Sequence, residues 1–430
     1  MIDIRKLRDN PDYFKQGAEK KGVKVDIDRI LSLDRERREL QTSIDSRKKE
    51  LSDKSSRMKN IDGTERARLQ ARLKEFSKKI KQDESRLRQK QQELGEQLLY
   101  VPNPPLEDVP VGAGEDDNVE VRRVGQVPEF SFNPKDHLDL GEMHSLIDTS
   151  RGAKVSGARS YYLKNEAVLL EGALMRYALN VLADRGYTLL NTPVMVKEPC
   201  MVGSGYFPTG REEAYEIERD GLFLIGTSEV TLVSYHMNEL LSEDDLPLRY
   251  ASCTTCFRRE AGSYGKDVRG LFRVHQFQKV EQVIICRDDY ARMHRLHQEL
   301  MDNAEHIVQS LGLPYRVMEM CTAEMGMGQV KKHDIECYMP GRGGYGETHS
   351  CSSFADYQSR RSGIRYKSAQ GGNRYPFTLN NTAAASPRLV IAIMENYQGS
   401  DGSITVPRVL SPYMNGITRI PRSGNSQKET

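Results

Sequence analysis

Cys256-Phe257-Arg258-Arg259-Glu260 leads into the glycine-bearing stretch 261–270, and Leu271-Phe272-Arg273-Val274-His275-Gln276-Phe277-Gln278-Lys279-Val280-Glu281 follows. Strand periodicity puts Arg258 and Glu260 on one face, and likewise Phe277, Lys279 and Glu281. Two strands joined by a loop would set cations, carboxylates and an aromatic ring side by side. Cross-strand ion pairs on an exposed hairpin give the same pattern, so by pattern alone an ordinary surface hairpin is the favoured reading.

Around this stretch, short apolar runs alternate with longer amphipathic segments and Gly/Pro loops. Leu222–Ile225, Val280–Cys286 and Asp334–Met339 predict strands, and Leu169–Arg185, Asp288–Leu311 and Arg388–Gln398 predict helices. This is an α+β pattern, and it leaves the strand order open.

Upstream the character changes. Residues 34–100 contain no proline, and their only glycines are Gly63 and Gly95. Leu33, Leu40, Ile44, Leu51 and Met58 form one helical stripe, and Leu69, Leu73, Phe76, Ile80, Leu87, Leu94 and Leu98 form another. Lys59-Asn60-Ile61-Asp62-Gly63 between them reads as a turn. The two helices are therefore predicted to fold back as an antiparallel hairpin, each arm about 40–50 Å long. The arm carries 19 Lys/Arg against 13 Asp/Glu, a surplus of six. A solvated coiled-coil face explains that surplus, and so does a surface for a phosphate backbone. Charge alone favours the first.

Val101-Pro102-Asn103-Pro104-Pro105 ends the hairpin, because proline cannot continue a helix. The expected organisation is an N-terminal domain over 1–105, a linker over 106–118 rich in Pro, Gly and acid, a second domain over 119–422, and a polar tail over 423–430. No internal repeat is visible.

Length and composition allow two domains, and the net charge of +2 is uninformative. No apolar run is long enough to span a membrane, and the N-terminus lacks the apolar stretch of a signal peptide. A reducing, cytoplasmic setting is the default expectation. Of the seven cysteines only Cys253 and Cys256 have metal-like spacing, and no second ligand pair accompanies them. They are expected to be buried free thiols on one strand, pointing to the same face, without zinc.

No Gly-x-x-x-x-Gly-Lys-Ser/Thr loop is present, Gly326-Met327-Gly328 lacks the frame of a dinucleotide site, and no Gly-x-Ser-x-Gly elbow stands out. A nucleotide would have to be held by arginines and a metal.

The opening stretch resembles motif 2 of the class II aminoacyl-tRNA synthetases, Phe-Arg-x-Glu, loop, Arg-x-x-x-Phe. With His275-Gln276-Phe277 it is similar specifically to the seryl-tRNA synthetase family. Four further segments, in matching order, resemble the same family: Gly226-Thr227-Ser228-Glu229 its serine-binding segment, Glu347-Thr348-His349-Ser350-Cys351-Ser352 its metal and phosphate segment, Leu379 to Arg388 motif 3, and Gly186 to Pro193 the dimer-forming motif 1. Many members carry Glu-Ile-Ser-Ser and Asn-Gly-Ser-Gly where this chain has Glu347-Thr348-His349-Ser350 and Asn380-Asn381-Thr382-Ala383. Thr382 keeps the hydroxyl.

The resemblance implies an antiparallel sheet flanked by helices, with a tRNA-binding arm. It implies activation of serine with ATP and Mg²⁺, transfer to tRNA(Ser), and a homodimer; tRNA(Sec) stays open as a second acceptor. The implied catalytic residues are Arg258, Arg388 and Glu347. Thr227, Ser228, Glu229, Glu281 and Thr382 would bind serine. Arg258, Arg259, Glu260, Arg273, Val274, Phe277, Glu347, Thr348, His349, Ser350 and Arg388 would hold ATP, and Glu347 and Ser350 its Mg²⁺. The rings of His275 and His349 are expected to make structural hydrogen bonds. Two other readings are a paralogue that loads a carrier protein and a coiled-coil interaction protein with a degenerate second domain. The complete arm argues against the first, and the intact set Arg258, Glu260, Glu281, Glu347 and Arg388 against the second.

Overall fold

The computed structural model describes residues 1–57, 63–261 and 270–421. Met58, the predicted turn at 59–62, the loop residues 262–269 and the predicted tail lie outside them. The chain divides into two compact units, Met1–Pro104 and Pro105–Thr430.

The first unit starts with α1 (Ile4–Asp9) and α2 (Pro11–Lys20), followed by the long helices α3 (Ile27–Arg57) and α4 (Gly63–Leu98). Asp26 accepts the Arg29 N–H at 2.8 Å and so caps the start of α3. Helices of 31 and 36 residues span roughly 46 and 54 Å at 1.5 Å per residue. Ile44, Ile80 and Leu87 pack between them, with Leu40, Leu51 and Phe76 at the margin. This seam is narrow, and ion pairs flank it: Lys90–Glu36 at 3.0 Å, Lys48–Glu84 at 2.7 Å and Arg29–Glu93 at 3.1 Å. At the base of the arm Asp34 is fully buried and receives Arg8, Arg37 and Arg38 at 3.4, 2.8 and 3.0 Å. Burial alone would raise its carboxyl, but Arg37, Arg38 and Arg8 hold it below the usual carboxylate range.

The second unit is built on one eight-stranded sheet. Its strands are β1 (Val119–Val124), β2 (Thr188–Leu189), β3 (Leu248–Phe257), β4 (Gln276–Cys286), β5 (Tyr315–Glu319), β6 (Lys331–Met339), β7 (Gly344–Ala355) and β8 (Phe377–Ala385), in the order β1-β5-β6-β7-β8-β4-β3-β2. All pairs are antiparallel except β2–β3. One face is covered by α5 (Glu166–Asp184) and α7 (Tyr290–Ser310), whose buried Leu170, Leu174, Leu300 and Ile307 join Val280, Ile284, Ile335 and Leu379 of the sheet in one core. Two short helices complete the frame, α6 (Glu229–Ser234) and α8 (Arg388–Asn396).

Residues 106–118 are tied to the sheet. Leu106 donates its N–H to Val330 O at 2.9 Å, Thr322 donates to Pro110 O at 3.0 Å, and Lys331 pairs with Asp108 at 2.6 Å. Behind the sheet His297 of α7 meets Ser353 at 2.8 Å and His333 at 2.9 Å. Burial lowers both imidazoles, His333 to about 4.

The expectation that Cys253 and Cys256 share a face is overturned. Cys253 stands opposite Val280 and Cys256 opposite Phe277, which look to opposite sides of the sheet, as any two residues three apart on a regular strand must. The expected strand through Arg258 and Glu260 also stops short: β3 ends at Phe257, and Glu260 has φ +53°.

Candidate active site

The other face of the sheet carries the site, beside the part where Leu232 and Val233 of α6 cover Val283 and Ile285, and two β-bulges aim it. On β4, Phe277, Lys279 and Glu281 alternate toward this face, while Val280 and Gln282 turn to the helices; the Gln282 amide donates to Leu300 O of α7 at 3.1 Å. On β8 the register jumps at Ala383: Lys279 opposes Ala385 and Val280 opposes Ala384, but Glu281 opposes Thr382. On β7 a second jump falls at Thr348: Glu336 opposes Glu347 and Ile335 opposes His349. On a regular strand Glu347 and Ser350, three apart, would point to opposite faces. With the bulge both face the cleft, which is the usual use of a bulge.

Two adjoining cavities share Arg258, Glu260, Arg273, Glu347 and Arg388. The larger, about 340 Å³, also reaches Tyr206 and Gly226; the smaller, about 60 Å³, reaches Phe277, Lys279, Thr348 and Thr382. A larger cavity of about 680 Å³ lies on the helix side of β3 and β4, bordered by Val155, Tyr162 and Val168, and contains none of these five residues.

The shared cleft is a lattice of cations and carboxylates. Arg388, first residue of α8, donates through Nε to Phe272 O at 3.0 Å and through Nη1 to Glu347 O at 2.8 Å and Glu347 Oε2 at 3.3 Å. Its guanidinium lies 4.2 Å from the Phe272 ring centre, with Arg342 4.4 Å from the same ring. Arg258 donates to Gly226 O at 3.3 Å and stands 5.2 Å from the Phe277 ring centre. Arg273 holds Glu260 at 2.9 Å. Enclosure alone would push the Glu347 carboxyl up, but Arg388, Lys332 and Arg258 together hold it below the usual range. The group nevertheless opens into the cleft, 47% exposed.

At the far end lies a buried cluster of polar side chains. Glu281, 2% exposed, is ion-paired with Lys279 and accepts the Thr227 hydroxyl at 3.2 Å. Glu229, first residue of α6, accepts from the Gln358 amide at 2.7 Å, and Gln358 in turn accepts from Thr378 at 2.6 Å. Burial pushes the Glu229 carboxyl up to about 7, and the charge of Glu281 adds to the rise. A second buried carboxylate, Asp334, lies across the ladder from Ser350 and pairs with Lys332 at 3.1 Å. Burial raises it to about 6, against Lys332. Among the described residues its Oδ1 has no hydrogen-bond partner.

Residues 1–105 match the model of the seryl-tRNA synthetase N-terminal domain, and residues 214–397 match the class II tRNA synthetase core domain of the G, H, P, S and T enzymes. The serine–tRNA ligase of Deinococcus radiodurans is 43% identical over 416 residues, covering 97% of this chain and 98% of that protein. The chain belongs to the seryl-tRNA synthetase family. A seryl-tRNA synthetase from Pyrococcus horikoshii, solved with ATP, superposes with a TM-score of 0.91 at 37% identity, covering 98% of this chain and all of that one. The cytoplasmic serine–tRNA ligase of Naegleria fowleri, solved with AMP, gives 0.86 at 31%, with 96% of each chain covered.

In this seryl-tRNA synthetase family member, Arg258, Glu260, Arg273, Val274, Phe277, Glu347, Thr348, Thr382 and Arg388 all border the smaller cavity. Thr227, Glu229 and Glu281 form the buried polar cluster beyond. Arg259 stands apart: it is exposed, donating to Glu212 O at 3.2 Å. His349 is 1% exposed and hydrogen-bonded to Thr348 Oγ1 at 2.8 Å, turned to the covered side. Ser228 is fully buried at the start of α6. Sequence reasoning missed Asp334, Lys332, Gln358 and Tyr206. Strand pairing brings Asp334 to Ser350, and no sequence pattern shows pairing.

Proposed function

We propose that this cleft is where the family's reaction takes place, activation of serine with ATP and transfer of serine to tRNA(Ser), with the residues above in the roles that follow. One observation carries the reading. Three cations, Arg258, Arg388 and Arg273, surround one cavity that runs from the Phe277 ring to Lys279 and Thr382, and Lys279 is ion-paired with the buried Glu281. That charge pattern complements a triphosphate joined to a zwitterion.

Arg388 takes the γ-phosphate with its two-pronged guanidinium. Phe277 stacks on the adenine, Val274 touches it through its backbone, and Glu260 leaves Arg273 to accept the base's amino group. Arg258 bridges the α-phosphate and the serine carboxylate. Glu229 and Thr227 receive the ammonium, and Glu281 with Thr382 receives the hydroxyl. An alanine substrate would leave the Glu281 acceptor unmatched, which costs far more selectivity than a lost methyl contact. The serine carboxylate is already ionised at neutral pH, so no general base is required and catalysis is positioning plus charge stabilisation.

The donor set fits Mg²⁺. Glu347 and Ser350 offer hard oxygen ligands on one face, and the unpartnered carboxylate oxygen of Asp334 adds negative charge behind Ser350. When bound with ATP, the ion would offset the phosphate charge.

The basic surplus of the arm supports its role as the tRNA-binding surface. Val155, Tyr162 and Val168 are exposed together around the 680 Å³ cavity, and we assign this apolar patch to a homodimer contact. The proposed place of work is the cytoplasm, in keeping with seven unpaired cysteines; among the described residues no helix is long and apolar enough to cross a membrane. The test is ATP–pyrophosphate exchange with each of the twenty amino acids. Serine should give Mg²⁺-dependent exchange; strong exchange with another amino acid and none with serine would falsify the assignment. Charging of tRNA(Ser) and tRNA(Sec) transcripts decides whether the latter is a second acceptor.

A further inference from the structure

Strand β4 measures out the substrate. Phe277, Lys279 and Glu281 occupy alternate positions on one face, and at about 3.4 Å of rise per residue Phe277 and Glu281 stand roughly 13–14 Å apart with Lys279 midway. In the proposed reading adenine stacks on Phe277 and the serine hydroxyl reaches Glu281. What lies between adenine and serine in the reacting pair is the ribose and the α-phosphate. Lys279 is therefore the residue beneath the reacting centre. Its side chain is 7% exposed and ion-paired with Glu281, and it borders the same cavity as Arg258, Thr382 and Glu347.

We propose that Lys279 is a further catalytic residue, whose ammonium leaves Glu281 for the α-phosphate when serine binds. The inference rests on the reading of the cleft given above. In the empty site Lys279 keeps a buried carboxylate paired, which such a group requires. Serine brings its hydroxyl to Glu281 and its own ammonium to the adjoining Glu229, so positive charge stays beside Glu281 when the Lys279 ammonium leaves. A serine carboxylate oxygen then bonds to the α-phosphorus, the bond from that phosphorus to the bridging oxygen breaks, and pyrophosphate leaves with the electron pair. Negative charge on the non-bridging α-oxygens is stabilised by Arg258 from the end of β3 and by Lys279 from the strand below.

The experiment is single-turnover adenylate formation at saturating ATP and serine, with serine affinity by calorimetry and a thermal melt, on K279M, K279R, E281Q and the double variant K279M/E281Q. A charge-stabilising group of this kind contributes on the order of 10²–10³ in rate. K279M should lose that much in the chemical step, K279R should regain part of it, and K279M/E281Q should be slower than E281Q by a similar factor. The double variant leaves no stranded carboxylate, so it answers the question even if K279M fails to fold. Equal rates for E281Q and K279M/E281Q would overturn the proposal and leave Lys279 as a partner of Glu281 only. Arg388→Ala in the same assay separates the two readings: if it reacts at the wild-type rate, the cleft itself is misassigned, whereas a slow Arg388→Ala beside a fast double variant removes Lys279 alone.

Discussion

The arm and the cleft are both rich in charge and use it in opposite ways. Apart from the buried Asp34 and Asp83, the ion pairs of α3 and α4 stay wet: Lys48 and Glu84 are 2.7 Å apart yet 54% and 33% exposed. In the cleft Lys279 and Glu281 are 7% and 2% exposed. Water and salt screen the first kind, and the long side chains lose little when parted. The second kind has no water to fall back on, so the loss of one partner strands the other. A surface of wet charges offers many weak, replaceable contacts, as a polyanion backbone needs. A dry lattice offers a few fixed ones, as catalysis needs.

Replacing residues 34–98 by a short Gly/Ser linker is the hardest test of that contrast. Charging of tRNA should collapse while serine-dependent exchange persists, since every residue assigned to activation lies in Pro105–Thr430. In the intact protein, tRNA binding should fall steeply with salt, each phosphate contact adding about 0.9 to the log–log slope on a duplex. Normal charging by the truncated protein would reduce the arm to a structural coiled coil. Next in size is Arg388→Ala, which should slow adenylate formation by about 10²–10³ with an unchanged melt; a near-normal rate would remove its phosphate role.

A smaller effect sharpens the meaning of dryness. Glu229 is raised to about 7 by burial, and the serine ammonium needs its ionised form. Serine affinity should therefore weaken as pH falls through about 7, approaching tenfold per pH unit on the acid side. Calorimetry across that range checks this, and a profile for Glu229→Gln as steep as the wild type's would discard the assignment. The smallest effect belongs to the arm: Lys48→Ala should leave the melting temperature where it was. A clear drop would mean that the wet pairs are not as replaceable as the contrast supposes.

Sequence periodicity carried the arm well, because a seam such as Ile44, Ile80 and Leu87 is written at helical spacing. The helices through Leu170 and Leu300 were legible for the same reason. Cys253 and Cys256 are free thiols on one strand as expected, but residues three apart on a strand face opposite sides, so the shared face expected for them failed. Arg258 and Glu260 lie past the end of β3, in irregular backbone that no period describes. Asp334 and Gln358 reach the site through strand pairing and through a hydrogen-bond chain ending at Thr378, and neither leaves a trace along the chain. The residues that resemblance supplied gather around one cleft, except that Arg259 is exposed and Ser228 and His349 are fully buried beside it.

The bulge at Thr348 makes β7 behave like text with a reading frame. Straightening the bulge while keeping all of its residues would shift the strand's phase. Either Glu347 would turn inward onto the helices, or Ser350 would turn inward while His349 and Cys351 turned out into the cleft. Segment swaps between this chain and a relative must therefore keep phase as well as composition: a donor strand with every cleft residue present but no bulge would deliver half of them to the wrong side.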